Sequence, residues 1–222
     1  MIILLMAKKI SMLKRGLRYF LSIAIIFLLA YNSVYFKKLD EVKKVAVSRK
    51  FDPALYAKNY LHKKLIPELG NAIEINMLVG LLKTAPEETF QKYSHALGIG
   101  NIRFFLVKGR GQILDLDDNA AVIIVKTDST IQKINLATEF VFGNAIRDAS
   151  GMININEFNN TMDFNNVSAE INKIIRNEVL PAFKKEARKG DTIQFTGAIE
   201  LNKIHLKLDN IEVIPIQLKI LK

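Results

Sequence analysis

Asp115-Leu116-Asp117-Asp118-Asn119 carries the D-x-D-x-N opening of a calcium loop, whose alternate oxygens would converge on one cation. Such a loop continues with glycine and then a bidentate glutamate, but Ala120 and Lys126 stand at those positions. An acidic turn is the reading that remains. Lys108-Gly109-Arg110-Gly111 could cradle a phosphate through backbone N–H groups. Neither G-x-x-x-x-G-K-[ST] nor G-x-G-x-x-G is completed, and the flanking residues alternate like strands, so a hairpin or bulge is expected there. His62, His95 and His205 are scattered and the chain has no cysteine, so no zinc-ligand spacing exists. No G-x-S-x-G elbow and no nucleophile with an adjacent base is present. No metal or cofactor is therefore expected, and no catalytic residue can be named.

One segment stands apart. Gly143-Asn144-Ala145-Ile146-Arg147-Asp148-Ala149 leads into an amide-rich stretch from Asn154 to Asn166. Arg147 could clamp a carboxylate or hydroxyl-rich ligand bidentately, with Asp148, Asn159 and Asn160 adding hydrogen bonds. The competing reading makes Arg147 and Asp148 an internal ion pair, with the asparagines shaping turns and capping a helix.

The elements that would position these groups are helices first and strands afterwards. Asp52-Pro53 is a cap followed by a first-turn proline, and Leu55, Tyr56, Tyr60, Leu61 and Leu65 recur at helical spacing. Short helices follow over residues 75–83 and from Thr84, the latter closed by Gly98. The period then changes to two over 103–108, 112–116, 120–126 and 133–142. A long helix carries the stripe Val167, Ile171, Ile174, Ile175 and Val179, capped by Asn165 or Asn166 and interrupted at Pro181. Alternation returns over 193–201, 204–208 and 214–220. Strands, helix, strands is the order of a small Greek-key barrel of the oligonucleotide/oligosaccharide-binding (OB) type. The expected class is α+β: an N-terminal transmembrane helix, then an antiparallel barrel with a helical segment before it and one long inserted helix.

Charge is distributed unevenly. The net charge is +10, yet residues 1–50 hold eleven basic and two acidic residues, against twenty-one and twenty in residues 51–222. A nucleic-acid footprint would sit on the folded domain, so nucleic acid is excluded as a partner. The basic excess flanks eighteen uncharged residues, Tyr19 to Phe36, which as a helix would span ~27 Å of a bilayer ~30 Å thick in its hydrocarbon core. Bulky Tyr31, Val34 and Tyr35 stand where a signal-peptide cleavage site would need small residues, so a retained anchor is expected. The expected organisation is a basic N-terminus (1–18), an anchor (19–36), a charged juxtamembrane stalk (37–50) and one domain (51–222). Five basic residues precede the run and six follow it by Lys50, so positive-inside counting leaves orientation open.

The stretch FGNAIRDASGMININEFNNTMDFNNVSAEINKIIRNEVLPAF, the later KGDTIQFTGAIEL and the opening FDPALYAKNYLHKKLIPEL resemble an uncharacterised bacterial family of predicted periplasmic lipoproteins with a domain of unknown function. Arg147 and Asp148 match an R-D pair of that family. The resemblance implies a cytoplasmic N-terminus at the inner membrane, a domain facing the periplasm or cell exterior, and company with sugar-uptake transporters. This chain departs from it in having no cysteine to lipidate. The expectation is a non-enzymatic extracytoplasmic module whose partners are the lipid bilayer and either a membrane transport or envelope protein or a small polar ligand. The alternative is an envelope hydrolase or transferase acting on glycans.

Overall fold

The structure, a computed structural model, describes residues 17–29, 31, 51–127 and 131–221. Two compact units divide the chain, Met1–Lys50 and Phe51–Lys222. In the first, residues 17–29 are helical and their large apolar side chains are exposed. Among the described residues no helix is long and apolar enough to cross a membrane. The expected span 19–36 includes residues 30 and 32–36, which lie outside the described set, as do residues 1–16 and the stalk 37–50.

In the second unit helix α1 (Pro53–Asn59) starts on Asp52, whose carboxylate accepts from the Ala54 and Leu55 backbone N–H groups at 3.0 Å. It passes through a π-helical turn (Tyr60–Leu65) into α2 (Ile66–Glu68). Strand β1 (Ile73–Glu74), helices α3 (Ile75–Thr84) and α4 (Pro86–Tyr93) and strand β2 (Ser94–His95) precede the main strands. These are β3 (Ile102–Leu116), β4 (Ala120–Lys126) and β5 (Ile131–Ala137). After a short α5 (Ala145–Ala149) comes α6 (Thr161–Ile174), a second π-helical turn (Ile175–Val179) and α7 (Leu180–Glu186). Strands β6 (Thr192–Asn202) and β7 (Ile211–Leu221) end the fold.

Five of the strands close on themselves in the order β3-β4-β5-β7-β6 and back to β3. All neighbours are antiparallel except β5 and β7, which run parallel through Ile134↔Ile211, Asn135↔Glu212 and Leu136↔Val213. Closure removes the sheet edges, and the helix lies between the third and fourth barrel strands. This is the expected OB-type barrel, except that the β5–β7 pairing is parallel where an antiparallel barrel was expected. The Gly109-Arg110-Gly111 hairpin is not present: β3 runs unbroken through both glycines. A Cβ on Gly109 would lie 2.7 Å from the Phe195 ring, and one on Gly111 would lie 2.6 Å from the Ile124 carbonyl. The glycines let β3 curl tightly enough to pair with β6 along its length and with β4 at its end. The bulge lies further on, between Ile113 and Asp115.

Three other boundaries move. Strand β5 stops at Ala137 rather than at Phe142, and residues 204–208 are loop, with Leu206 and Leu208 packed on the core. The long helix begins earlier, on Asn160, whose side-chain oxygen accepts from the Asp163 N–H at 2.8 Å. Asn165 and Asn166 therefore sit inside the helix.

Two cores form within the Phe51–Lys222 unit. Phe105, Ile123, Ile134, Phe195 and Val213 fill the barrel, closed over by Ile75 and Leu78 of α3, Phe90 of α4 and Phe183 of α7. The outer face of the barrel presents Phe104, Ala198, Ile214 and Ile216 to Ala57, Tyr60, Ile146, Val167 and Ile171. A domain with two such cores has what it needs to fold alone.

Candidate functional site

Arg147 and Asp148 are both nearly fully buried. Arg147 Nε and Nη2 donate to the two Asp148 carboxylate oxygens at 2.6 and 3.0 Å, a bidentate pair between adjacent residues. Nη1 donates to the Phe164 carbonyl at 3.2 Å, and the guanidinium lies 3.5 Å from the centroid of the Phe164 ring. The fork that could hold a ligand carboxylate thus holds Asp148, and it ties α5 to the start of α6. Asn160 caps α6 and donates to Asp163 at 2.8 Å, while Asn159 is exposed beside it. None of the four residues singled out from sequence lines the clefts found among the described residues.

Tyr60 completes this buried cluster. Its hydroxyl lies 2.6 Å from Ser150 Oγ, and burial, opposed by that hydrogen bond, pushes its pKa from 10.0 up to about 12. Because the folded-state value is raised, the native state keeps its proton to higher pH than the unfolded chain. The contribution is complete below pH 10 and is lost as pH rises through about 12. Tyr60→Phe removes one hydrogen bond of about 1 kcal/mol. The wild-type advantage over Tyr60→Phe, read as a urea midpoint near neutrality, should therefore shrink across that alkaline window.

The acidic turn is held by Asp117, whose Oδ1 accepts the Asn119 and Ala120 N–H groups at 2.7 and 2.8 Å. Those bonds, Ala120 first, hold its carboxyl below the usual range. Among the described residues no cluster of three acidic or histidine side chains could hold a metal. The three histidines lie apart: His62 in the first π-helical turn, His95 in β2 against Gly151, and His205 in the β6–β7 loop. Burial, then the nearby Arg103, lowers the His95 pKa.

A cleft of about 590 Å³ lies elsewhere, and sequence reading did not find it. Its base is the outer face of β6 and β7, where Gln194 pairs with Lys219 and Thr196 with Gln217. Cross-strand neighbours sit ~5 Å apart and neighbours along a strand ~7 Å apart, so these four polar side chains form a rectangular grid. Its wall is the second π-helical turn and α7, contributing Glu178, Val179 and Ala182, with Ile66 of α2 beside them. His62 Nε2 of the other π-helical turn lies 3.9 Å from Glu178 Oε2 at the rim. Beside the grid the β6–β7 register shifts, so that Ile216 has no partner and Pro215 stands opposite Gly197. A Cβ on Gly197 would lie 2.5 Å from the Ile214 carbonyl, which restricts that position to glycine. Two π-helical turns and a β-bulge at one cleft are irregularities of the kind that gather at binding sites.

The closed five-stranded barrel, its one parallel pairing and its inserted helix define an OB-fold protein. The chain belongs to the family described as "Predicted periplasmic lipoprotein (DUF2291)", whose model matches residues 24–219. It is similar to a crystal structure of an OB-fold protein from Thermotoga maritima, with 27% identity and a TM-score of 0.69, covering 78% of this chain and 100% of that one. A chain from the Stn1–Ten1 complex of S. pombe also aligns, at 11% identity and a TM-score of 0.27, over 62% of this chain and 75% of the other. That last likeness is too low to carry an argument. No curated protein matches.

Proposed function

We propose that this protein is a membrane-held extracytoplasmic module that seats a small polar ligand in the 590 Å³ cleft and does no chemistry on it. The observation that carries this reading is the hydrogen-bonding grid of Gln194, Thr196, Gln217 and Lys219 facing a wall of Ile66, Val179 and Ala182 with Glu178 among them. Amides and a hydroxyl donate and accept at once, which suits a ligand rich in hydroxyl or amide groups. Glycoside hydrolysis needs two carboxyl groups roughly 5–9.5 Å apart. Among the described residues one carboxylate, Glu178, lines the cleft, which favours binding over glycan hydrolysis or transfer.

The family's description as a predicted periplasmic lipoprotein supports the extracytoplasmic setting. With no cysteine in the sequence, the uncharged run 19–36 retained as a helix would supply the hold on the bilayer, with residues 1–18 cytoplasmic. The resemblance implies company with sugar-uptake transporters, so sugars are the first ligands to try and a transporter the first partner.

Thermal-shift titration of the full-length protein against sugars, polyols and amino acids tests the ligand reading. A binding ligand should lose about tenfold in affinity with Gln194→Ala or Gln217→Ala, each removing a hydrogen bond worth ~1–1.5 kcal/mol. Undiminished binding in the double variant, or turnover of a glycan, would overturn it. Carbonate extraction tests the anchor: the protein should stay with the membrane pellet.

A further inference from the structure

The segment between β5 and α5 turns two phenylalanines outward. Phe140 and Phe142 are each 61% exposed, with ring centroids 6.5 Å apart, while Val141 between them is fully buried. Loop slack does not explain this exposure, because the segment is pinned along its length. The Thr138 N–H donates to the Asn119 carbonyl at 2.9 Å, Arg176 donates to the Val141 carbonyl, and Asn172 donates to the Gly143 carbonyl at 2.8 Å. A pinned backbone that presents two large rings to solvent forms an apolar patch whose burial lies outside the fold.

Cations border that patch. The Arg176 guanidinium lies 5.0 Å from the centroid of the Phe142 ring. Beside it opens a second cleft of about 380 Å³, lined by Thr138, Glu139, Arg176, Asn177, Pro181 and Lys184 among others. Its charged groups are Arg176, Lys184 and Glu139, and Lys184 Nζ is bonded to Glu139 Oε2 at 2.7 Å. That pair neutralises the one acid and leaves the guanidinium as the excess charge. Arg176 uses one of its five N–H groups on Val141 and lines the cleft, so its fork is placed for a phosphate. Thr138 and Asn177 add polar groups to the same lining.

We propose that this face docks on an anionic phospholipid surface, the phosphate entering the Arg176 cleft and Phe140 and Phe142 seating at the acyl boundary. Aromatic rings beside a cationic rim are the chemistry that favours the interfacial layer of a bilayer. The site is separate from the β6–β7 cleft, so it does not depend on the ligand reading.

Flotation of residues 51–222, the unit that contains both cores, with phosphatidylglycerol–phosphatidylcholine vesicles tests the proposal. The domain should float with these vesicles and not with pure phosphatidylcholine. Phe140→Ser with Phe142→Ser should weaken flotation about tenfold or more, as should Arg176→Gln. Unchanged circular-dichroism melting of each variant shows that the fold is intact. No flotation with either vesicle, equal flotation with both, or flotation that survives the double phenylalanine variant would overturn the proposal. So would inorganic phosphate protecting Arg176 while the phenylalanine changes have no effect, since that outcome describes a free-anion site.

Discussion

Asp148→Ala is expected to lower the unfolding free energy of the Phe51–Lys222 domain by about 3–5 kcal/mol, read from urea midpoints at unchanged slope. The magnitude follows from what is left behind. Arg147 would keep its charge in a nearly water-free site, bonded to the Phe164 carbonyl and stacked on the Phe164 ring but without its counter-charge. Removing one member of a buried pair costs more than the pair contributes, because the stranded ion has lost its hydration. Arg147→Lys should also destabilise, since an ammonium cannot span both Asp148 oxygens at 2.6 and 3.0 Å in a planar fork. The measurement separates the two readings of the R-D segment. If the fork served an external ligand, Asp148→Ala would alter ligand affinity and leave the midpoint near its wild-type value.

Phe105→Ala is expected to cost a similar amount, about 3–5 kcal/mol, by a different mechanism. Phe105 is fully buried inside the barrel, its ring 5.4 Å from that of Phe90 on α4. It joins the strand that pairs with β6, β4, β1 and β2 to the helices that close the barrel, so the cavity left by truncation cannot collapse easily. Phe105 belongs to one hydrophobic cluster, whereas Asp148 stands between Ile146 and Ala149 of the other, so their effects should nearly add. A sum of about 6–10 kcal/mol approaches the whole stability of an ordinary domain, 5–15 kcal/mol, so the double variant should be largely unfolded in water. If it keeps a cooperative transition near the wild-type midpoint, the division into two cores is wrong.

Much of the fold was legible from local chemistry. Asp52-Pro53 announced α1 because a cap needs a short acceptor and a first-turn residue that can spare its N–H. The stripe from Val167 to Val179 announced the inserted helix, and the alternation from Ile193 to Leu201 announced β6. What misled was local chemistry whose meaning depends on distant neighbours. Gly109 and Gly111 look like a turn until Phe195 and Ile124 press against them. Phe140 and Phe142 look like the continuation of a strand, but the ladder with β4 ends where Thr138 bonds to Asn119, and the Val141 N–H then turns back onto the Glu139 carbonyl. Asn165 and Asn166 look like caps, but Asn160 reaches the Asp163 N–H first.

By itself, the sequence determined the periodicities, the uncharged run beside a basic flank, and an α+β order of elements compatible with a small barrel. These are properties of residues close along the chain, where side-chain spacing and backbone preference act directly. Only the tertiary structure decided that Gln194 faces Lys219 and Thr196 faces Gln217, that Glu178 overhangs them, and that Arg176 lies against Phe142. Those meetings depend on strand register and on which helix face covers the barrel, and both are fixed by the packing of residues dozens of positions apart.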